Sequence, residues 1–216
     1  MSQELWTAVD RYITDLLVPF DPVLEAVLRA SAEAGMPPHN VSPNQGKLLM
    51  LVAQMQGARN ILEIGTLGGY STIWLARSGA HVITLEANPN YAEVARANIA
   101  LAGLADVIDL RVGKALDTLP LLTKEAPFDL IFIDADKPNN PEYLQWAIRL
   151  SRSGSIIIAD NVVRDGGVID DDSSDPSVNG VQRFHELLAA EPRLSATAIQ
   201  TVGSKGYDGF AIARIL

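Results

Sequence analysis

The chain has 216 residues, 48% of them hydrophobic and 20% charged, the composition of an ordinary globular domain and not of a disordered or fibrous chain. Its net charge of −9 repels phosphate backbones and anionic lipid, which argues against a nucleic acid or a membrane as partner. It has no cysteine; that excludes a disulfide framework and thiolate metal sites and suits a cytoplasmic location.

The first twenty residues carry no basic run and no long apolar stretch, so they read as an amphipathic helix and not as a signal peptide. No segment reaches the roughly 20 apolar residues that span a bilayer. Helices are predicted over about Gln3–Leu17 and Pro22–Ala34, with Asp21 as N-cap, Pro22 as first helical residue and Gly35 as stop. Met36 to Asn40 is a loop by composition. Ser42 then caps a helix running from Pro43 to about Gln56. From residue 60 the pattern changes to short apolar runs at Asn60–Ile64, Val82–Leu85, Val107–Val112, Phe128–Ile133 and Ser155–Ala159. Helical segments lie between them, at Ser71–Ser78, Tyr91–Ala102, Ala115–Lys124 and Glu142–Leu150. Alternation of this kind predicts a parallel sheet with helices on both faces, and strands apolar throughout fit that burial. Val163–Ser177 reads as a surface loop and about Val181–Ala190 as a helix starting after Asn179-Gly180. Ser195–Gln200 and Gly209–Ile215 read as a terminal hairpin turning around Gly203–Asp208. The simplest organisation is one domain over residues 1–216 with an N-terminal helical extension of about 1–40.

The first strand leads into Gly65-Thr66-Leu67-Gly68-Gly69-Tyr70-Ser71, a glycine-rich turn opening a helix. In an open α/β sheet that turn lies at the carboxyl ends of the strands, where ligands bind. Leu67 stands where the second glycine of a dinucleotide fingerprint belongs, which argues against a pyrophosphate. Glu63 would repel a phosphate and suits a cationic ligand, such as a sulfonium compound with an ammonium group. The second strand ends at Glu86, placed to accept hydrogen bonds from ribose hydroxyls; the bland reading makes it a cap of the next helix.

The strand ending at Ile133 runs into Asp134-Ala135-Asp136-Lys137, and the strand ending at Ala159 into Asp160-Asn161. In a parallel sheet both emerge at the edge of the glycine turn. Two carboxylates and an amide oxygen are hard ligands suited to Mg²⁺. Lys137 is a general-base candidate there, although an exposed loop charge is the commoner fate of a lysine. Asp136 is ambiguous. His39, His81 and His185 are scattered and read as structural or surface residues. The run Asp170-Asp171-Asp172, with Asp175, reads as a solvated charge cluster in a polar loop.

With these motifs the sequence resembles the cation-dependent O-methyltransferases, the caffeoyl-CoA O-methyltransferase family with animal catechol O-methyltransferase among its relatives. The resemblance runs from about Val41 to Leu216. It rests on Leu62-Glu63-Ile64-Gly65 with Gly69-Tyr70-Ser71, on Glu86, on Ile133 to Lys137, on Ala159-Asp160-Asn161, and on Val202-Gly203 through Gly209-Phe210-Ala211. It implies a Rossmann-like α/β fold with a seven-stranded, mostly parallel sheet whose last strand is antiparallel. Carried over by position, Val41, Glu63, Gly65, Thr66, Ser71, Glu86, Ala115 and Asp134 would line the S-adenosylmethionine site. Asp134, Asp160 and Asn161 would hold a divalent cation, Mg²⁺ first and Mn²⁺ or Ca²⁺ otherwise, and Lys137 would be the catalytic base. The acceptor would be a small catechol-like aromatic, and a homodimer is the assembly suggested. Leu67 departs from the animal enzyme, which has an aromatic residue there. The resemblance leaves three rivals: an NAD-dependent oxidoreductase, against which Leu67 and Asp160-Asn161 speak; a non-catalytic S-adenosylmethionine-binding relative; and an RNA methyltransferase, against which the charge speaks.

Overall fold

The computed structural model describes residues 2–216. Three helices come first: α1 (Gln3–Leu17), α2 (Pro22–Glu33) and α3 (Pro43–Gln56). Each begins where a short polar side chain takes over an orphan amide. Ser2 accepts from Leu5 N–H, Asp21 from Val23 and Leu24, and Ser42 from Gln45, the usual role of an N-cap. Then come β1 (Asn60–Ile64), α4 (Tyr70–Ala76), β2 (His81–Glu86), α5 (Pro89–Leu101), β3 (Ile108–Val112), α6 (Ala115–Thr118), β4 (Phe128–Ile133), α7 (Asn140–Arg149), β5 (Ser151–Asp160), α8 (Pro176–Ala190), β6 (Leu194–Gly203) and β7 (Gly206–Ile215).

The seven strands form one sheet in the order β3-β2-β1-β4-β5-β7-β6. The first five are mutually parallel, and β7 enters antiparallel between β5 and β6. The predicted fold, with its antiparallel last strand, is the one observed. Side chains alternate between two cores because strand periodicity is two. Leu62, Ile64, Ile131, Ile133 and Ile157 pack with Leu144 of α7 and Phe184 of α8. Ile61, Val82, Leu130, Phe132 and Ile158 pack with Val27 of α2, Leu49 of α3, Ile73 of α4 and Ile99 of α5 on the other face. No described helix is long and apolar enough to cross a membrane.

Most boundaries shift by one or two residues, β5 begins at Ser151 and not Ser155, and three further departures have a plain cause. The predicted helix Ala115–Lys124 is α6 followed by a 3-10 segment, Leu119–Lys124, with Pro120 in its first turn; proline has no N–H to continue an α-ladder. Helix α8 starts at Pro176, capped by Asp175, so Asn179-Gly180 lies inside it. The signal was the Asp175-Pro176 pair, a cap followed by an N1 proline, which the surrounding acidic and serine residues masked. The terminal hairpin is tighter and longer than predicted: Gly203 pairs with Gly206, so only Ser204 and Lys205 form the turn.

Candidate active site

The strand order reverses between β1 and β4, and the crevice there opens at the carboxyl ends of the strands, the general ligand position of such sheets. Gly65 N–H donates to Leu85 O at 3.0 Å and Asp134 N–H to Ile64 O at 2.9 Å, so the ends of β2, β1 and β4 are laced together. Gly65 has φ +103°, and a Cβ on it would sit 2.1 Å from Asp134 O. Only glycine lets the turn after β1 and the turn after β4 touch.

Glu63 is fully buried behind this turn. Its carboxylate accepts from Ser71 Oγ at 2.7 Å, Thr84 Oγ1 at 2.6 Å and Thr72 Oγ1. Burial raises its pKa to about 7, Asp134's charge adds to the rise, and the three hydroxyls oppose it. Glu86 caps the turn from the side: Oε2 accepts from Leu67 N–H and Oε1 from Asn88 N–H, each at 2.8 Å. Thus Glu86 orders the backbone on both sides of it while still facing the cavity, and Asn88, not Glu86, is the N-cap of α5.

A cavity of about 900 Å³ fills the crevice. At one end it is walled by Gly65, Glu86, Tyr91 and Ala115; at the other by Val41, Asp134, Lys137, Asp160 and Asn161. Of the residues expected at a cofactor site, Val41, Gly65, Glu86, Ala115 and Asp134 line it. Glu63, Thr66 and Ser71 stand one layer behind: Ser71 is bonded to Glu63, and Thr66 Oγ1 lies 2.6 Å from Thr84 Oγ1.

The cation and base candidates converge. Lys137 is 8% exposed, and its Nζ donates to Asp134 Oδ1 at 2.8 Å. Asp160, also buried, has its pKa raised to about 7 by burial and by the neighbouring Asp134 charge; Lys137, the Asn161 N–H and Gln45 pull the other way. Two neighbouring carboxylates in a largely buried wall repel each other, the condition a divalent cation relieves. Asn161 sits at φ +56°, a left-handed backbone that brings the residue after β5 back into the cavity wall. Two carboxylates and an amide therefore fit a hard divalent cation, with open positions for water or acceptor oxygens. No cluster of three or more His, Cys, Asp or Glu side chains able to hold a metal occurs among the described residues, and the exposed Asp170–Asp172 run makes no such site.

Several lining residues were not legible beforehand. Asp136 does not pair with Lys137; it accepts from Tyr143 Oη at 2.5 Å and Asn139 Nδ2 at 2.5 Å, buckling the segment that carries the lysine. His39 lines the cavity from the Met36–Asn40 loop, as do Gln45 and Arg164. Leu67, Asn161, Arg164 and Asp165 are the non-glycine residues with positive φ among those described, and all four line this cavity or the smaller one beside it. Backbone strain gathered at one place marks a functional site.

The O-methyltransferase family model matches residues 18–214. The chain belongs to the O-methyltransferase family and is an S-adenosylmethionine-dependent enzyme. It is 53% identical to a catechol O-methyltransferase of Niastella koreensis, over 99% of both chains. Its structure matches that of an O-methyltransferase from Bacillus cereus in complex with S-adenosylhomocysteine, with TM-score 0.98 and 60% identity over the whole of both chains. An O-methyltransferase of Streptomyces achromogenes involved in tomaymycin synthesis, in complex with S-adenosylmethionine, matches with TM-score 0.96 and 49% identity over 100% of this chain and 99% of that one. In this O-methyltransferase, the cavity between the glycine turn and the Asp134–Asp160 pair is the candidate place for both methyl donor and acceptor.

Proposed function

We propose that the chain methylates one hydroxyl of a small vicinal dihydroxy aromatic, with a divalent cation held by Asp134, Asp160 and Asn161. The observation that carries the reading is the pair of buried Asp160 and half-buried Asp134, with Lys137 Nζ at 2.8 Å from Asp134. A like-charged carboxylate pair suits a cation, and the lysine beside it suits a proton that must leave a hydroxyl. The likeness to a catechol O-methyltransferase at 53% identity supports the substrate class.

When bound, the cation supplies Lewis acidity at the acceptor hydroxyl and S-adenosylmethionine supplies an electrophilic methyl. Lys137 Nζ, having first released its own extra proton to solvent, would take the hydroxyl proton. The acceptor oxygen would form its bond to the methyl carbon while the carbon–sulfur bond breaks and the sulfur keeps that electron pair. Glu86 would receive the ribose hydroxyls. Val41 and Ala115 close apolar surface over the cofactor, and Glu63 acts from behind by fixing Ser71, Thr72 and Thr84 around the turn. Enclosing donor and acceptor in one cavity makes the encounter intramolecular, a large share of such accelerations. The decisive experiment is methyl transfer from labelled S-adenosylmethionine to a panel of catechols and monohydroxy analogues, with Mg²⁺ and after chelation. Transfer to vicinal diols only, lost on chelation, is the expected result; equal transfer to monophenols without metal would overturn the reading.

A further inference from the structure

Lys137 opens a single 3-10 turn, Lys137–Asn139, and its position depends on how that turn is held. Asn139 N–H donates to Asp136 O at 3.2 Å, which closes the turn. Pro138 at its centre has no N–H and a fixed φ. Helix α8 presses on it from one side, where a Cβ on Gly180 would come 2.3 Å from Lys137 O. These contacts set the backbone; the side chains need holds of their own.

An aspartate next to a lysine is a rival for its ammonium. Yet Lys137 Nζ donates to Asp134 Oδ1 at 2.8 Å and not to Asp136. Both oxygens of Asp136 are taken: Oδ1 accepts from Tyr143 Oη and Oδ2 from Asn139 Nδ2. Asn139 belongs to the turn itself, so its bond moves with the turn. Tyr143 belongs to α7. It is 3% exposed, and its ring is part of the core that contains Ile133, Leu144 and Val181. Its bond to Asp136 therefore ties the lysine turn to a rigid body. Asp136 is exposed, so water would satisfy its carboxylate; what the phenol adds is a fixed direction, since bonds to an ionised acceptor are strong and geometrically specific. A phenylalanine would fill the same core without burying a hydroxyl, which is unfavourable unless that hydroxyl is bonded.

We propose that Tyr143 is a positioning residue for methyl transfer: its hydroxyl holds Asp136 away from Lys137, which leaves Lys137 Nζ on Asp134 at the acceptor end of the cavity. The inference rests on the reading of Lys137 as the base and deepens it.

The test is a double-mutant cycle on the full chain, with Mg²⁺, S-adenosylmethionine and a catechol. Tyr143→Phe keeps the ring and removes only the hydroxyl. Its kcat is expected to fall about 10-fold, within what misplacing a reacting group costs, while S-adenosylhomocysteine affinity by calorimetry stays unchanged. In a Lys137→Ala background the same substitution should lower kcat no further, because a base that is absent cannot be misplaced. A hydroxyl that only supported the fold would lower kcat by the same factor in both backgrounds. Asp136→Ala, at an exposed residue, removes the middle link without touching the core. It should lose kcat as Tyr143→Phe does and, like it, lose nothing more beside Lys137→Ala; it decides the matter if Tyr143→Phe does not fold. Wild-type kcat in Tyr143→Phe or in Asp136→Ala, or equal losses in both backgrounds, would overturn the inference. Full kcat in Lys137→Ala alone, or no transfer to any catechol by the wild type, would instead dismiss the underlying reading and the inference with it.

Discussion

Lys137 and Glu86 are given different work in the proposed site. Lys137 is buried with its Nζ on Asp134, so Lys137→Ala removes the proposed proton acceptor but neither the carboxylates nor the turn. S-adenosylmethionine binding should survive while kcat falls by about 10²–10⁴, the share of a general base, with a smaller loss on more acidic phenols; wild-type kcat in the variant would dismiss the assignment. Glu86→Ala should weaken S-adenosylmethionine binding by about 1.5–3 kcal/mol, the range for hydrogen bonds to a charged group, and unchanged affinity by calorimetry would refute its role. Glu63 has its pKa raised from 4.5 to about 7. The folded protein thus holds the proton more tightly than the unfolded chain does. The corresponding stability is complete below pH 4.5 and is lost as pH rises to about 7. Glu63→Gln cannot ionise, so the Tm of wild type should fall relative to that of Glu63→Gln as the pH is raised through this window. Parallel Tm curves would show that Glu63 does not titrate there. Asp160 contributes a loss of the same sign, which cancels in the comparison because both proteins carry it.

Among elements, α8 packs directly against the turn that carries the proposed base. Gly180 lies within this helix because a Cβ there would come 2.3 Å from Lys137 O and 2.7 Å from Pro138 Cα. Both atoms belong to backbone and cannot swing aside. Gly180→Ala should therefore cost about 1–3 kcal/mol through overpacking and also lower kcat by shifting Lys137, since small misplacements at a reacting centre are expensive. Denaturant melts and steady-state kinetics together check it; full kcat with a stable fold would mean that α8 and the lysine turn are not coupled. A sequence reading that takes Asn179-Gly180 as a helix start cannot see this, since glycine in sequence signals a break and only packing shows close approach. The element types from α1 to β5 were legible because capping residues and apolar runs are local signals, and Ser42-Pro43 and Asp21-Pro22 set their boundaries to the residue.

For the molecule as a whole, the sheet order decides that the ends of β1, β2, β4 and β5 share one cavity. Chelation tests the proposal at this scale. EDTA treatment should abolish turnover and leave S-adenosylmethionine binding at the Glu86 end largely intact, with Mg²⁺ restoring activity; a fully active chelated enzyme would make the methyl transfer metal-independent.

By itself the sequence determined the α/β alternation, the terminal hairpin, and the positions of Gly65, Glu86, Asp134, Lys137, Asp160 and Asn161; the antiparallel last strand came from the family resemblance. Strand-end residues of a parallel sheet all emerge at one edge, so periodicity and position in the chain are enough to bring them there. The tertiary structure decided which of them face the cavity. Glu63, Thr66 and Ser71 share a motif with Gly65, yet they stand behind it because the pleat and the helix turn aim their side chains inward, where they satisfy one another. It also decided the placement of Asp136, Tyr143, Arg164 and Lys205. Their partners lie on other turns of the chain, or, for the buried Nε of Arg164, are absent. Pairings between residues far apart in sequence leave no periodic trace in it, and only the packed chain brings them together.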